Sequence, residues 1–383
     1  MTTPKGVQDQ ASQGGLESLD KTDRVASLTG IRAIAALLVM LTHAAYTTGK
    51  YTHGYLGLAY SRTEIGVPIF FVLSGFLLFA PWVKAAAGQR PSPSVRRYAW
   101  RRVRRIMPAY IVTVVIAYVL YHFRAAGPNP GHTWLGLVRN LTLSQIYTDH
   151  YLYSYLHQGL TQMWSLAVEV AFYVVLPLLA YLLIVVLCRN RWRPGVLLGG
   201  LAGLAVITPA WLILVHTTDI LPDGARLWLP TYLLWFLGGM MLAVLQQCRI
   251  RVYPVICLPL ALVCFLIVST PIAGAPTTSP AELREALCKA AFYAVIATLM
   301  VAPLALGDQG RYARSLASKP MVFLGEISYE IFLIHLITME LVMVEVLRYH
   351  IYTGSVWLLF LATFVVTVPV AWLLHRFTRV RAD

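Results

Sequence analysis

Apolar runs of about 17 to 25 residues recur from residue 27 to residue 375, separated by short polar connections. As an α-helix, a run of that length crosses the hydrocarbon core of a bilayer, roughly 30 Å thick. The pattern predicts ten spans: Ser27–Tyr46, Ile65–Val83, Pro108–Phe123, Met163–Leu187, Gly195–His216, Pro230–Gln247, Val252–Thr270, Ala290–Leu306, Phe323–Val346 and Ser355–His375. The runs are continuous rather than alternating, which excludes a transmembrane β-barrel. The expected fold class is an all-α polytopic membrane protein of about ten transmembrane helices. An even count puts both termini on one side.

Composition agrees with this reading. Only 13% of the 383 residues are charged and 58% are hydrophobic, against about 25% charged in a soluble domain. The net charge of +14 would suggest nucleic acid in a soluble protein. Here topology explains it. Of the 31 Lys and Arg, 22 fall on the side of the termini and 8 on the other, with Arg32 inside the first span. The positive-inside rule makes the richer side, and both termini, cytoplasmic. Membrane lipids are expected partners and nucleic acid is not.

Residues 1–23 are polar and lack the apolar core of a signal peptide. They are expected to form a disordered cytoplasmic tail. Residues 24–376 then make the transmembrane domain, and 377–383 a second cytoplasmic tail with no extracytoplasmic domain after it. The five cysteines form no metal or redox motif, so neither a metal nor a structural disulfide is expected. No internal repeat is evident.

Candidate chemistry begins in the first span. Arg32 and His43 are eleven positions apart, so they return to within roughly 20° of one helix face, about 16 Å apart along the axis. Ionisable groups inside a span are costly unless they line a wet cavity or find partners. The two residues read as stations on one polar path. In the second span Gly66, Pro68, Ser74 and Gly75 suit close helix approach or a kink.

The next basic segment holds Arg102 and Arg105, three apart on one helical turn, with Arg101 and Arg104 as a second such pair. Clustered guanidiniums bind phosphate with bidentate hydrogen bonds, and they also serve as topology signals against lipid headgroups. After the third span, residues 127–162 form a long polar and aromatic connection with Trp134, Tyr147, Tyr151, Tyr153 and Tyr155. A loop of that length is more often functional than idle. Its aromatic rings suit either capping of the bundle at the interface or stacking on sugars.

The fourth span opens Met163-Trp-Ser-Leu-Ala-Val-Glu169 and places a carboxylate in an apolar helix, a functional candidate by default. The ninth adds Tyr329 and His335. Counting residues from the span ends puts His43, Glu169 and His335 in one layer, about 8 to 12 Å below the outer face.

Five ordered motifs then resemble one family: Arg32 with His43, the Gly66-VPIFFVLSGFLL span, Arg102-x-x-Arg105-I-x-P, Trp164-Ser165-Leu-x-x-Glu169-x-x-Phe172-Tyr173, and Gly325-x-x-Ser328-Tyr329-x-Ile331-x-x-x-His335. Together they look like the acyltransferase 3 family of integral membrane acyltransferases. The resemblance runs from about Arg24 to Arg376, and that family's usual ten-helix core matches the span count. It implies transfer of an acyl group, commonly acetyl from acetyl-CoA, to a hydroxyl of a cell-envelope carbohydrate or glycolipid at a bacterial plasma membrane. Arg32, Arg102 and Arg105 would bind the acyl-CoA. His43 would act as base or as acyl carrier, and Glu169 would orient it or accept a proton. Ser74, Trp164, Ser165, Tyr173, Tyr329 and His335 would bind substrate or support the site. An alternative function, transport or export of an envelope lipid or glycan, also uses intramembrane His and Glu. Transporters usually show two related halves, and none is found.

Overall fold

In the computed structural model of the chain, the described residues are 5–124, 129, 131–148, 157–277 and 280–379, with side chains described from Val25 onward. Tyr151, Tyr153 and Tyr155 of the long aromatic connection lie outside them. The regular secondary structure of the described residues is all helical, with no strand among them. Among the described residues eight helices are long and apolar enough to cross a membrane, and the protein is a multi-pass membrane protein.

Two of the ten sequence-predicted spans differ in form. The seventh is a helix of only 15 residues, Pro254–Val268, because Pro254 starts it and the Thr270–Ala273 turn ends it early. The ninth is broken. Its halves, Lys319–Glu326 and Ser328–Val346, meet at 71°. The break is stabilised locally: Ser328 is buried and its hydroxyl donates to the Gly325 carbonyl at 2.8 Å. A hydroxyl bonding to freed backbone is how a membrane helix tolerates interruption. The first helix runs Lys5–Thr47, with Val25–Thr47 as its apolar part. The stretch 5–24 contains no proline and several good helix formers.

The first helix is the hub. It packs against both halves of the broken span and against the Gly66–Ala86, Leu283–Ala305 and Val356–Thr378 helices. Small residues set these distances. A Cβ on Gly30 would meet the Leu316 carbonyl oxygen at 1.9 Å, and one on Gly325 would meet that of Thr29 at 2.0 Å. The Gly66–Ala86 and Leu229–Gln247 helices make the most extensive pairing in the bundle. There a Cβ on Gly75 would sit 2.1 Å from the Phe236 carbonyl oxygen, and one on Gly239 would sit 1.9 Å from that of Val72. The small residues of the second span are therefore a packing surface, and they leave Ser74 on the adjoining face.

Candidate active site

Five helices bring polar side chains into one cavity of about 200 Å³. The first contributes Arg32, the Gly66–Ala86 helix Ser74, and the Val95–Phe123 helix Arg102 and Arg105. The Trp164–Ala180 helix contributes Ser165, Glu169 and Tyr173, and the Ser328–Leu341 helix Tyr329. Each spacing is a helical one. Ser165, Glu169 and Tyr173 are four apart and share a face; Arg102 and Arg105 are three apart. The Val95–Phe123 helix starts where the Ser94 hydroxyl accepts from the Arg97 amide, an N-cap that fixes the register of both arginines.

The carboxylate is held firmly. Glu169 Oε1 accepts the Tyr173 hydroxyl at 2.6 Å and the Ser74 hydroxyl. Tyr173 is steadied in turn, its carbonyl accepting the Tyr98 hydroxyl at 3.2 Å. Tyr329 donates to the Ile106 carbonyl at 3.0 Å and ties the broken span to the arginine helix. Beside it Glu330 is buried and accepts from His375 Nδ1 at 3.0 Å. Arg32 lines the same cavity as Arg105 and Glu169. Arg102 Nε is buried with no hydrogen-bond partner. Three guanidiniums against one carboxylate leave the cavity positive, and a buried N–H without an acceptor calls for an anion or another acceptor there.

The sequence-predicted site residues separate into two groups. Arg32, Ser74, Arg102, Arg105, Ser165, Glu169, Tyr173 and Tyr329 share the cavity. His43 is not among its lining residues; its imidazole faces that of His335, with ring centroids 5.2 Å apart. The depth estimate placed Glu169 level with His43, whereas the structure groups it with the arginines. The Gln158–Met163 turn leads directly into the Trp164–Ala180 helix that carries Glu169. Trp164 lies apart from the cavity and packs its ring on Tyr232 at 5.0 Å.

Between the two groups stand residues the sequence did not single out. Phe70 and Phe332 line the cavity, with ring centroids 6.4 Å apart, and Phe332 also lies 6.0 Å from His335. Gln162 donates to the Leu333 carbonyl at 2.8 Å, tying the start of the fourth span to the histidine helix. An aromatic in an apolar run carries no signal of its own, and only the position of Phe332, three before His335, hinted at its neighbour. Among the described residues no group of three or more His, Cys, Asp or Glu is placed to hold a metal ion.

The chain matches a family described as an acyltransferase domain over residues 25–376. Among curated relatives, it is 28% identical to acyltransferase MdmB of Streptomyces mycarofaciens, covering 82% of this chain and 78% of the relative. It is 27% identical to peptidoglycan O-acetyltransferase OatA of Listeria monocytogenes, covering 86% of this chain and 52% of the relative. It is 23% identical to O-acetyltransferase OatA of Staphylococcus aureus, covering 84% and 51%. The chain thus spans about half the length of these two O-acetyltransferases. No solved structure matches it. Every residue that lines the cavity lies within the matched range, and the chain belongs to the acyltransferase 3 family of integral membrane acyltransferases.

Proposed function

We propose that the protein moves an acyl group, acetyl in the simplest case, from cytoplasmic acyl-CoA to a hydroxyl of a cell-envelope carbohydrate or glycolipid. One observation carries this reading. Arg32, Arg102 and Arg105 converge on one cavity, and the helix that supplies Arg32 supplies His43 about 16 Å further along.

Arg102 and Arg105 hold the CoA phosphates through charge-assisted, planar hydrogen bonds. Arg32 extends the positive wall inward. The pantetheine arm follows the first helix past Phe70 and Phe332 and delivers the thioester to His43. There the acceptor oxygen attacks the thioester carbonyl carbon. A C–O ester bond forms and the C–S bond breaks. His43 takes the hydroxyl proton as general base and returns it to the leaving CoA thiolate, so the imidazole ends neutral. Glu169 keeps Ser74 and Tyr173 in place beside the arginines and balances part of their charge before donor arrives. The carbohydrate acceptor is supported by the relative named as a peptidoglycan O-acetyltransferase.

The test is direct. Purified protein in detergent receives acetyl-CoA labelled in the acetyl group, together with a membrane extract. The expected result is label in a carbohydrate or glycolipid fraction, released by mild base as an O-ester should be. Acetyl-CoA that binds but stays intact with every envelope fraction offered would contradict the proposal.

A further inference from the structure

His335 is the most completely buried titratable side chain near His43, with 1% of its surface exposed. Its Nδ1 lies 2.8 Å from the Phe332 carbonyl oxygen and 3.2 Å from that of Ile331. Carbonyls only accept, so Nδ1 carries the proton. A neutral imidazole has one N–H, which leaves Nε2 a bare acceptor. That Nε2 is buried with no hydrogen-bond partner. A histidine kept only for packing would leave this acceptor unsatisfied, which proteins rarely do.

The polar ring in reach is His43, at a centroid distance of 5.2 Å with the planes at 45°. The same protein shows what that geometry permits. His132 and His157 sit 5.3 Å apart at 49°, and His132 Nδ1 and His157 Nε2 share a hydrogen bond of 3.1 Å. The His43 ring needs only to turn about its Cβ–Cγ bond, a soft two-fold torsion, to present an N–H to His335.

Resting on the proposed role of His43, we propose that His335 is a positioning residue: its Nε2 accepts the His43 N–H and so fixes which His43 nitrogen presents its lone pair to the substrate. The backbone carbonyls of residues 331 and 332 set the His335 tautomer, His335 sets that of His43, and His43 faces the reaction. The order resembles a base held by an orienting group, with a neutral imidazole as the orienter. A neutral orienter suits this depth, where a second charge would be costly.

Two substitutions separate this role from packing. His335→Asn places an amide near the Nδ1 position and keeps a donor for the carbonyls, with nothing at the Nε2 position. His335→Gln reaches the Nε2 position with an acceptor oxygen. Turnover should fall about 100-fold or more in His335→Asn and no more than about tenfold in His335→Gln, with acetyl-CoA affinity unchanged in both. Near-normal turnover in His335→Asn, or equal loss in two well-folded variants, would overturn the proposal. A readout independent of activity is ¹⁵N spectroscopy of histidine-labelled protein. Replacing His43 by Ala should move the His335 Nε2 resonance toward that of an unbonded acceptor, and an unmoved resonance would overturn the pairing. If His43→Ala keeps its turnover, the role given to His43 has failed, while the spectrum still reports whether the two rings are joined.

Discussion

The Glu169 carboxylate accepts the Tyr173 hydroxyl at 2.6 Å from one turn along the same helix, and together they face three arginines across one cavity. Tyr173 thereby lines the cavity together with Arg102 and Arg105. Ser74, from a different helix, donates to the same oxygen. A single carboxylate therefore fixes the wall opposite the arginines.

Glu169→Gln should keep the shape of this wall and lose its charge. Its two hydrogen bonds become neutral ones, at a cost of about 1.5–3 kcal/mol, or roughly tenfold to a hundredfold. We expect kcat to fall by that factor while acetyl-CoA affinity stays the same or rises, since a negative charge has left the phosphate site. Titration calorimetry beside steady-state rates checks both; a large loss of affinity would give Glu169 a different role.

Arg102→Ala and Arg105→Ala should each weaken acetyl-CoA binding by about tenfold or more, the equivalent of one charge-assisted contact. Lysine should restore only part of it, because it lacks the planar fork. Dephospho-CoA offers fewer phosphate oxygens, so the difference between wild type and variant should narrow with it. Variants that bind as tightly as wild type would reduce the cluster to a topology signal.

Phe70 and Phe332 stand between the cavity and the histidine pair, so they should limit acyl length. Phe332→Leu should raise kcat/KM for butyryl-CoA relative to acetyl-CoA by about tenfold, within the range one or two methylenes command in a shaped pocket. Competition between the two donors in one reaction measures the ratio. An unchanged ratio would place the acyl chain elsewhere.

Gly239→Ala should destabilise the bundle without touching the cavity. Its Cβ would lie 1.9 Å from the Val72 carbonyl oxygen, and backbone on both sides prevents relief. Overpacking typically costs about 1–3 kcal/mol. Thermal unfolding followed by fluorescence size-exclusion should show a lower midpoint, with acetyl-CoA affinity normal in the fraction that remains folded.

Acid should loosen the connection that follows the Val95–Phe123 helix. His157 is fully buried, its Nδ1 accepts from the Gly159 amide at 3.3 Å, and its Nε2 bonds His132. Burial first, and His132 second, hold the imidazole down to about 3. The folded value lies below the unfolded value of about 6.5. The contact's stability is therefore complete above pH ~6.5 and declines as pH falls from there toward 3. Hydrogen exchange at residues 131–148 should quicken over that window in wild type and much less in His157→Asn.

Much of this was legible in the chain. Hydropathy located a helix for each of the ten apolar segments, and helical spacing put Arg102 with Arg105; Arg32 and His43 share a helix face by spacing, but Arg32 lines the cavity while His43 faces His335. The Ser165, Glu169 and Tyr173 face also follows from spacing alone. What escaped was tertiary. Next to the break at Ile327, Gly325 packs closely on the Thr29 carbonyl, a contact between residues far apart in sequence. The grouping of Glu169 with the arginines depended on how five helices pack around one cavity, which spacing within a single helix does not report. Phe70 and Phe332 looked like any apolar filler until the fold set them before the histidines.

The central claim is that donor bound at the arginines is consumed at His43. The measurement that tests it most directly compares wild type with His43→Ala in one set of samples, reading acetyl-CoA affinity by calorimetry and acetyl transfer to membrane extract by label. The expected result is affinity within about twofold of wild type and transfer reduced by about 100-fold or more, the upper range for loss of a general base. Transfer near the wild-type rate in His43→Ala would contradict it.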